Sequence, residues 1–332
     1  MRKKIMIILL VVILFLGGFL LYSLLRVRTT ASVYHQAGPT MRQTALYQHV
    51  QHLSVHIGSR SIYEHEKLIK TEEYIYSTLE KMGYKPQRQK VPYKDRFYNN
   101  VIVTLSGKEA PEETVLIGAH YDTVSGTPGA DDNASGVAML LESARILREF
   151  SPRRTIRLVF FALEEPPVFR SRYMGSAVYA RQAKERGEKI VAMLCFEMLG
   201  YFSEEKSAQT YPIPVMHLFY PDRPDFIGVV GNLDSRKLAK QVARYLKKHS
   251  SIPVETLVTV SAVPGVDFSD HKSFWDEGYP AVMITDTAFY RNPNYHSSTD
   301  TIDTLDFDRM NVLLKGLVET IKALSDQGGP SS

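Results

Sequence analysis

The 332-residue chain has a single cysteine, which excludes an intrachain disulfide. Cys195 lies inside the apolar stretch IVAMLCF and reads as a small buried hydrophobe. A domain of this size can stand outside the cytoplasm without disulfides. Charge of one sign is also lacking, because 40 Lys and Arg face 36 Asp and Glu. Part of the net +4 comes from Arg2, Lys3, Lys4, Arg26 and Arg28, which flank an apolar run, so the balance gives no warrant for nucleic-acid binding. No Gly-x-Ser-x-Gly elbow occurs, and no long linker or internal repeat divides the chain. Composition is otherwise ordinary for a globular protein, with 44% hydrophobic and 23% charged residues.

Long apolar runs are scarce, and the one at residues 5–25 carries no charge. About 20 such residues suffice for a helix to cross a bilayer, so a transmembrane signal anchor is expected there. The alternative is a cleaved signal peptide, for which Thr30-Ala31-Ser32 offers a weak site. Arg2, Lys3 and Lys4 with the terminal amine slightly outweigh Arg26 and Arg28, favouring a cytoplasmic amino terminus. The expected order is a cytoplasmic stub at 1–4, the span at 5–25, a juxtamembrane tether at 26–40, one domain at 41–326 and a flexible tail at 327–332. The domain would then be periplasmic or extracellular.

Within it, strand-like segments at 100–105, 114–119, 155–162, 190–196, 226–230 and 281–285 alternate with helical patterns. The helices are expected at 41–53, 64–82, 136–149, 175–185, 235–249 and 307–324. Apolar strands with intervening helices imply an α/β three-layer sandwich with a central, mostly parallel or mixed sheet.

Acids and histidines stand at the ends of these strands: His120 and Asp122 in GAHYDT, Asp131 and Asp132 in GADDNASG, Glu164 and Glu165 in LEEPP, Glu197 in CFEMLG, and His296 in NPNYHSS. Carboxylates and neutral imidazole are zinc ligands, and two cations can share a carboxylate. His120 and Asp122, two apart at a strand end, share a face, so the acid can orient the histidine through its other ring nitrogen. One of Asp131 and Asp132 is expected to cap the following helix and the other to meet metal; two capping acids without metal is the bland alternative. Of the Glu164–Glu165 pair, one would bind metal and its neighbour would remove a proton from water.

These motifs, with YIYSTLEKMGY, SDHKSFWDEGYPAVMITDT and NPNYHSSTDTIDTLDF, resemble the M28 family of metallopeptidases, the di-zinc aminopeptidase group, over about residues 49–324. The resemblance implies two zinc ions, with Asp131 bridging, His120 and Glu197 completing one site, and Glu165 and His296 completing the other. It makes Glu164 the general base and Asp122 the partner of His120. Many relatives carry Asp where Glu197 stands. A cis peptide after the bridging acid is also implied, and is expected at Asp131-Asp132. The implied activity is hydrolysis of N-terminal peptide bonds, with a peptide bearing a free N-terminus as partner and the membrane reached through the N-terminal helix.

Other readings remain. A glutaminyl-cyclase-like acyltransferase, or a carboxypeptidase or dipeptidase, could use the same fold, as could a non-catalytic receptor-like scaffold. Ser269-Asp270-His271 holds the three triad residue types, but adjacent residues do not meet in triad geometry. Asp270 is expected to cap HKSFWDE, with Gly278 ending that helix, and Phe274 or Trp275 to line a pocket or pack in the core. His49, His52 and His56 read as exposed helical histidines without acids.

Overall fold

Apolar residues on both sides of consecutive strands force a sheet covered on both faces, and the molecule is built this way. The structure is a computed structural model that describes residues 44–327. The expected span, its flank, the tether and residues 328–332 lie outside the described residues. Among the described residues no helix is long and apolar enough to cross a membrane.

The strands are β1 (Gln87–Tyr93), β2 (Arg96–Leu105), β3 (Ala110–His120), β4 (Arg154–Phe161), β5 (Lys189–Glu197), β6 (Ile227–Gly231), β7 (Val254–Val258) and β8 (Ala281–Thr285). They form one eight-stranded sheet in the order β1-β2-β4-β3-β5-β8-β6-β7. β4, β3, β5 and β8 run parallel, while β2 joins β4, and β6 joins β8, antiparallel. The sheet is therefore mixed around a parallel centre. The polar edge strand β1 and the short β7 did not stand out in the sequence, because neither carries a continuous apolar run.

The helices are α1 (Ala45–Gln51), α2 (His65–Lys81), α3 (Gly136–Leu147), α4 (Gly175–Glu185), α5 (Arg236–His249), α6 (His271–Asp276) and α7 (Phe307–Ser325). Alternation along the strands splits the core in two. Val115, Ile117 and Ala119 of β3 join Leu46, Leu68, Val137, Val242 and Leu317 on one face. Leu116 of β3, with Val159, Met193 and Cys195, meets Tyr179, Ala183 and Phe274 on the other. Gly278 ends α6 at φ +79°, as expected, with Tyr279 N–H donating to the Phe274 carbonyl.

The helix after GADDNASG is capped by neither aspartate. Asn133 Oδ1 accepts from Gly136 N–H at 3.1 Å, and the Asn133 amide donates to the Phe196 carbonyl at 2.9 Å. The expected Asp270 cap is also absent: its carboxylate makes no bond to the first turn of α6. Asp270 is instead fully buried, and burial raises its pKa to about 7.

Candidate metal centre

Parallel strands point their carboxyl ends to one edge, and residues leaving that edge converge. His120 ends β3, Glu164 and Glu165 follow β4, and Glu197 ends β5. His296 arrives from the loop after β8. Leu163, Met198 and His296 have φ of 58°, 48° and 54°. Non-glycine residues in this region persist where surrounding structure holds them.

The geometry corrects one residue of the expected set. Asp132, not Asp131, stands between the histidines: its Oδ1 lies 3.4 Å from His120 Nε2 and its Oδ2 lies 3.2 Å from His296 Nε2. Glu197 Oε2 is 3.3 Å from His120 Nε2, and Glu165 Oε2 is 3.3 Å from His296 Nε2. The Asp131 carboxylate turns away, accepting from Gly200 N–H at 2.9 Å and from the Asn292 amide at 2.7 Å. Neighbouring side chains on a non-helical turn diverge, so only one of the two acids can face the histidines. The cis bond shifts by the same one residue, to Asp132-Asn133; a second lies at Pro166-Pro167.

Two donor triads result, His120–Asp132–Glu197 and Asp132–Glu165–His296, each with its atoms within 4.8 Å of one another. Ligands on one tetrahedral zinc at about 2.0–2.2 Å stand roughly 3.3 Å apart. The N···O separations of 3.2–3.4 Å match that spacing and exceed a good charge-assisted hydrogen bond. The donor set, nitrogen and oxygen without sulfur, also suits zinc, so the residues fit two cations sharing Asp132. Glu164 lies beside them, in a third group with His120 and Glu165.

Crowding of like charge sets the electrostatics. Burial lifts Glu165 to about 7, with the Asp132 charge adding and the His296 bond opposing. Burial also pushes Glu164 well up, against His120 and with the charges of Glu165 and Glu197. Burial would raise Asp132 too, but its contacts with His120 and His296 outweigh that and hold it below the usual carboxylate range. His296 rises to about 10 because Asp132 and Glu165 overcome its burial. A buried cluster with this many acids calls for added positive charge.

Asp122 lies 3.5 Å from His120 Nδ1. It also does something the sequence did not suggest: its two oxygens accept the N–H groups of Glu164 at 2.9 Å and Glu165 at 3.0 Å. Asp300 plays the same part for the other loop, accepting from Asp131 N–H at 2.9 Å and Asp132 N–H at 3.1 Å. Arg60, completely buried, donates to the carbonyls of Tyr121 at 2.9 Å, Pro128 at 2.7 Å and Gly129 at 2.7 Å, tying down the turn that delivers Asp132. Neither Asp300 nor Arg60 stood out in sequence; Asp300 was visible only as part of SSTDT, with no spacing rule to give it a role.

The other motifs fall elsewhere. Ser269 donates to Glu197 Oε2 at 2.5 Å while His271 Nε2 lies 2.8 Å from the Val266 carbonyl, so no triad forms. His49 is buried rather than exposed and has an acid beside it, with Nδ1 2.7 Å from Tyr74 Oη and Nε2 3.6 Å from Glu142. His52 stacks on Tyr74. Among the described residues none of the three belongs to a donor triad. Phe274 packs in the core, and the pocket beside the cluster is lined instead by Phe226, Phe268, Phe289 and Tyr295.

A model of Peptidase family M28 matches residues 100–321. The chain belongs to peptidase family M28. This M28 chain is 38% identical over 324 residues to the uncharacterized protein YfbL of Escherichia coli strain K12, covering 95% of this chain and 98% of that one. It is 30% identical over 225 residues to a probable leucine aminopeptidase of Arthroderma otae, covering 64% of this chain and 52% of the relative. The M28 chain thus spans about half the length of that relative. Among solved structures, a zinc aminopeptidase from Bacillus subtilis superposes with TM-score 0.67 at 16% identity, covering 85% of this chain and 95% of that one. A glutaminyl cyclase from Bacteroides thetaiotaomicron gives TM-score 0.62 at 19% identity, covering 84% and 96%. At such identities these likenesses speak to the fold alone.

Proposed function

We propose that this M28 chain is a zinc-dependent aminopeptidase that hydrolyses the N-terminal peptide bond of its substrate. The single observation carrying the reading is that the two oxygens of Asp132 each face one histidine, with one further glutamate completing each triad. His120, Asp132 and Glu197 would hold one ion, and Asp132, Glu165 and His296 the other. Bound zinc would supply Lewis acidity toward a carbonyl oxygen and lower the pKa of water to about 7.

Glu164 is the proton carrier in this scheme. Its carboxylate sits in the cluster without belonging to either triad around Asp132, and burial gives it more basicity than an exposed acid. It takes a proton from the attacking water on one carboxylate oxygen and returns it to the leaving amine. Asp122 keeps the Glu164 backbone in place through its N–H, so the base is presented at a fixed distance from His120. The free α-amine of a substrate is a cation and suits the surrounding acids.

The uncharged run at 5–25 supports a further proposal, that the catalytic domain, about residues 41–326, is tethered to a membrane and faces the periplasmic or extracellular side. A panel of free and N-blocked peptides, assayed on zinc-loaded protein with and without chelator, tests the main reading. Hydrolysis confined to free N-termini and abolished by chelator is expected. Cyclisation of N-terminal glutamine with one metal per chain would support the cyclase reading instead, and cleavage of N-blocked peptides would point to a carboxypeptidase.

A further inference from the structure

The outer face of α5 is a stripe of positive charge, and we propose that it docks the domain on a bilayer bearing anionic headgroups. This inference rests on the proposed span at 5–25 and adds how the domain lies against the membrane that the span would enter.

Helix α5 reads RKLAKQVARYLKKH, with six lysines and arginines and no acid. At 3.6 residues per turn, Arg236, Lys237, Lys240, Arg244, Lys247 and Lys248 fall within about one third of the circumference, along about 18 Å of axis. All six are exposed. Leu238, Ala239, Val242, Ala243 and Leu246 are buried on the other side of the helix. Helix stability does not ask for this pattern. The amino terminus of a helix favours acids, yet Arg236 and Lys237 stand in the first turn and no acid does. Arg236, Lys240 and Arg244 also place like charges at successive i, i+4 positions, where they repel one another. The stripe costs the helix stability and sets up a positive field at the surface.

The stripe continues to the sheet edge. β7 is an outermost strand, and its Thr256 and Val258 share a groove with Arg236, Lys240, Arg244 and Lys247. Side chains alternate along a strand, so Glu255 points to the other face. There Glu197, Thr285, Gly228 and Glu255 form one row across β5, β8, β6 and β7 that floors the pocket beside the cluster. A bilayer lying against α5 therefore leaves the pocket and the cluster edge open to a peptide.

The amino-terminal end of the domain enters through the same layer. Leu46 and Val50 of α1 share a core with Val242 and Leu246 of α5, and α7 packs on both helices. The 18 residues 26–43, between the proposed span and the first described residue, reach at most about 60 Å when extended. The stripe thus meets headgroups at high effective concentration, which favours a bilayer over a soluble polyanion. Docking here is electrostatic, because the apolar face of α5 is packed in the core and cannot enter the acyl region. It should accordingly depend on anionic lipid and be reversed by salt.

The test uses the full chain reconstituted in vesicles of phosphatidylcholine, alone or with about one third phosphatidylglycerol. Ser251→Cys, exposed just past the helix, carries a donor fluorophore while the buried Cys195 stays unlabelled, and the acceptor dye is on lipid headgroups. Energy transfer should be higher with phosphatidylglycerol and fall to the phosphatidylcholine level in about 1 M salt, where the screening length is about 3 Å. The double variant K240Q/R244Q should weaken docking by about 25-fold, roughly fivefold per residue, with the circular dichroism of the unaltered chain. Equal transfer on the two lipids, or transfer that K240Q/R244Q does not lower, overturns the proposal. So does capture of short duplex DNA at a salt concentration that frees the stripe from vesicles, which would assign it to a soluble polyanion. Release of the chain from vesicles at alkaline pH counts against the span alone. Flotation with phosphatidylglycerol vesicles in low salt, lost in K240Q/R244Q, then supports the docking face, and no flotation overturns it.

Discussion

The donor cluster and the pocket beside it lie on one sheet but are built on opposite principles. The cluster sits where parallel strands β3, β4 and β5 end, and packs four buried acids and the buried His120 beside the more exposed His296. Its members repel one another, so it is held by backbone N–H groups donating to Asp122 and Asp300 and by Arg60 donating to backbone carbonyls. The pocket lies over β8, β6 and β7, where the strand direction reverses, and is lined mostly by apolar and aromatic side chains. The acids and histidines are placed by strand ends, and the pocket lining by a strand face. Changes in one region should therefore leave the other largely intact.

The sharpest way to break this separation is at the proposed proton carrier. Glu164→Gln should lower kcat by about 10²–10⁴-fold while metal analysis finds zinc content near that of the unaltered protein. Substantial retained turnover would remove Glu164 from the mechanism. The one-residue correction allows an equally plain contrast. Asp132→Asn should strip both ions, because it removes charge from the shared ligand, whereas Asp131→Asn should keep both and alter stability only. If D131N loses zinc and D132N keeps it, the assignment is reversed.

A third effect lies on the pocket side. His271 is fully buried, with Nε2 bonded to the Val266 carbonyl and Nδ1 without a partner, and burial lowers its pKa to about 4. In this range the unfolded chain binds the proton that the folded one resists. Its contribution is therefore present above pH 6.5 and lost as pH falls toward 4. The loss amounts to about 3 kcal/mol for the whole shift. Denaturant melts between pH 7 and 4 should show a flatter decline for His271→Gln, and an unchanged slope would count against it. The smallest effect is expected at the floor. A Cβ at Gly228 would meet Thr285 O at 3.4 Å, so a side chain fits but fills the floor. Gly228→Val should lower kcat/KM for long N-terminal side chains relative to alanine by about tenfold, or 1.4 kcal/mol, without loss of zinc.

Much of the fold was legible, because β3, β4, β5 and β8 are buried on both faces and read as continuous apolar runs. β1, with its exposed Gln, Arg and Lys, carries no such signal and is held by pairing with β2. The site was legible as a set of residue types at strand ends. It was misread by one position at Asp131, since two adjacent acids in a Gly- and Ala-rich turn look alike until backbone direction is known. Asp122 was assigned to His120 by spacing, yet its strongest bonds go to the backbone of another strand's loop.

The sequence alone determined the layered α/β plan, five of the six cluster members including the base candidate, and the family. These depend on local pattern and on residue type, which are written along the chain. Tertiary structure decided which aspartate faces the histidines, what Asp300 and Arg60 hold, and that Glu255 shares a row with Glu197. Those facts depend on the register between strands and the direction of side chains across a turn, and Glu197 and Glu255, 58 positions apart in the chain, come to line one pocket only when the sheet is paired.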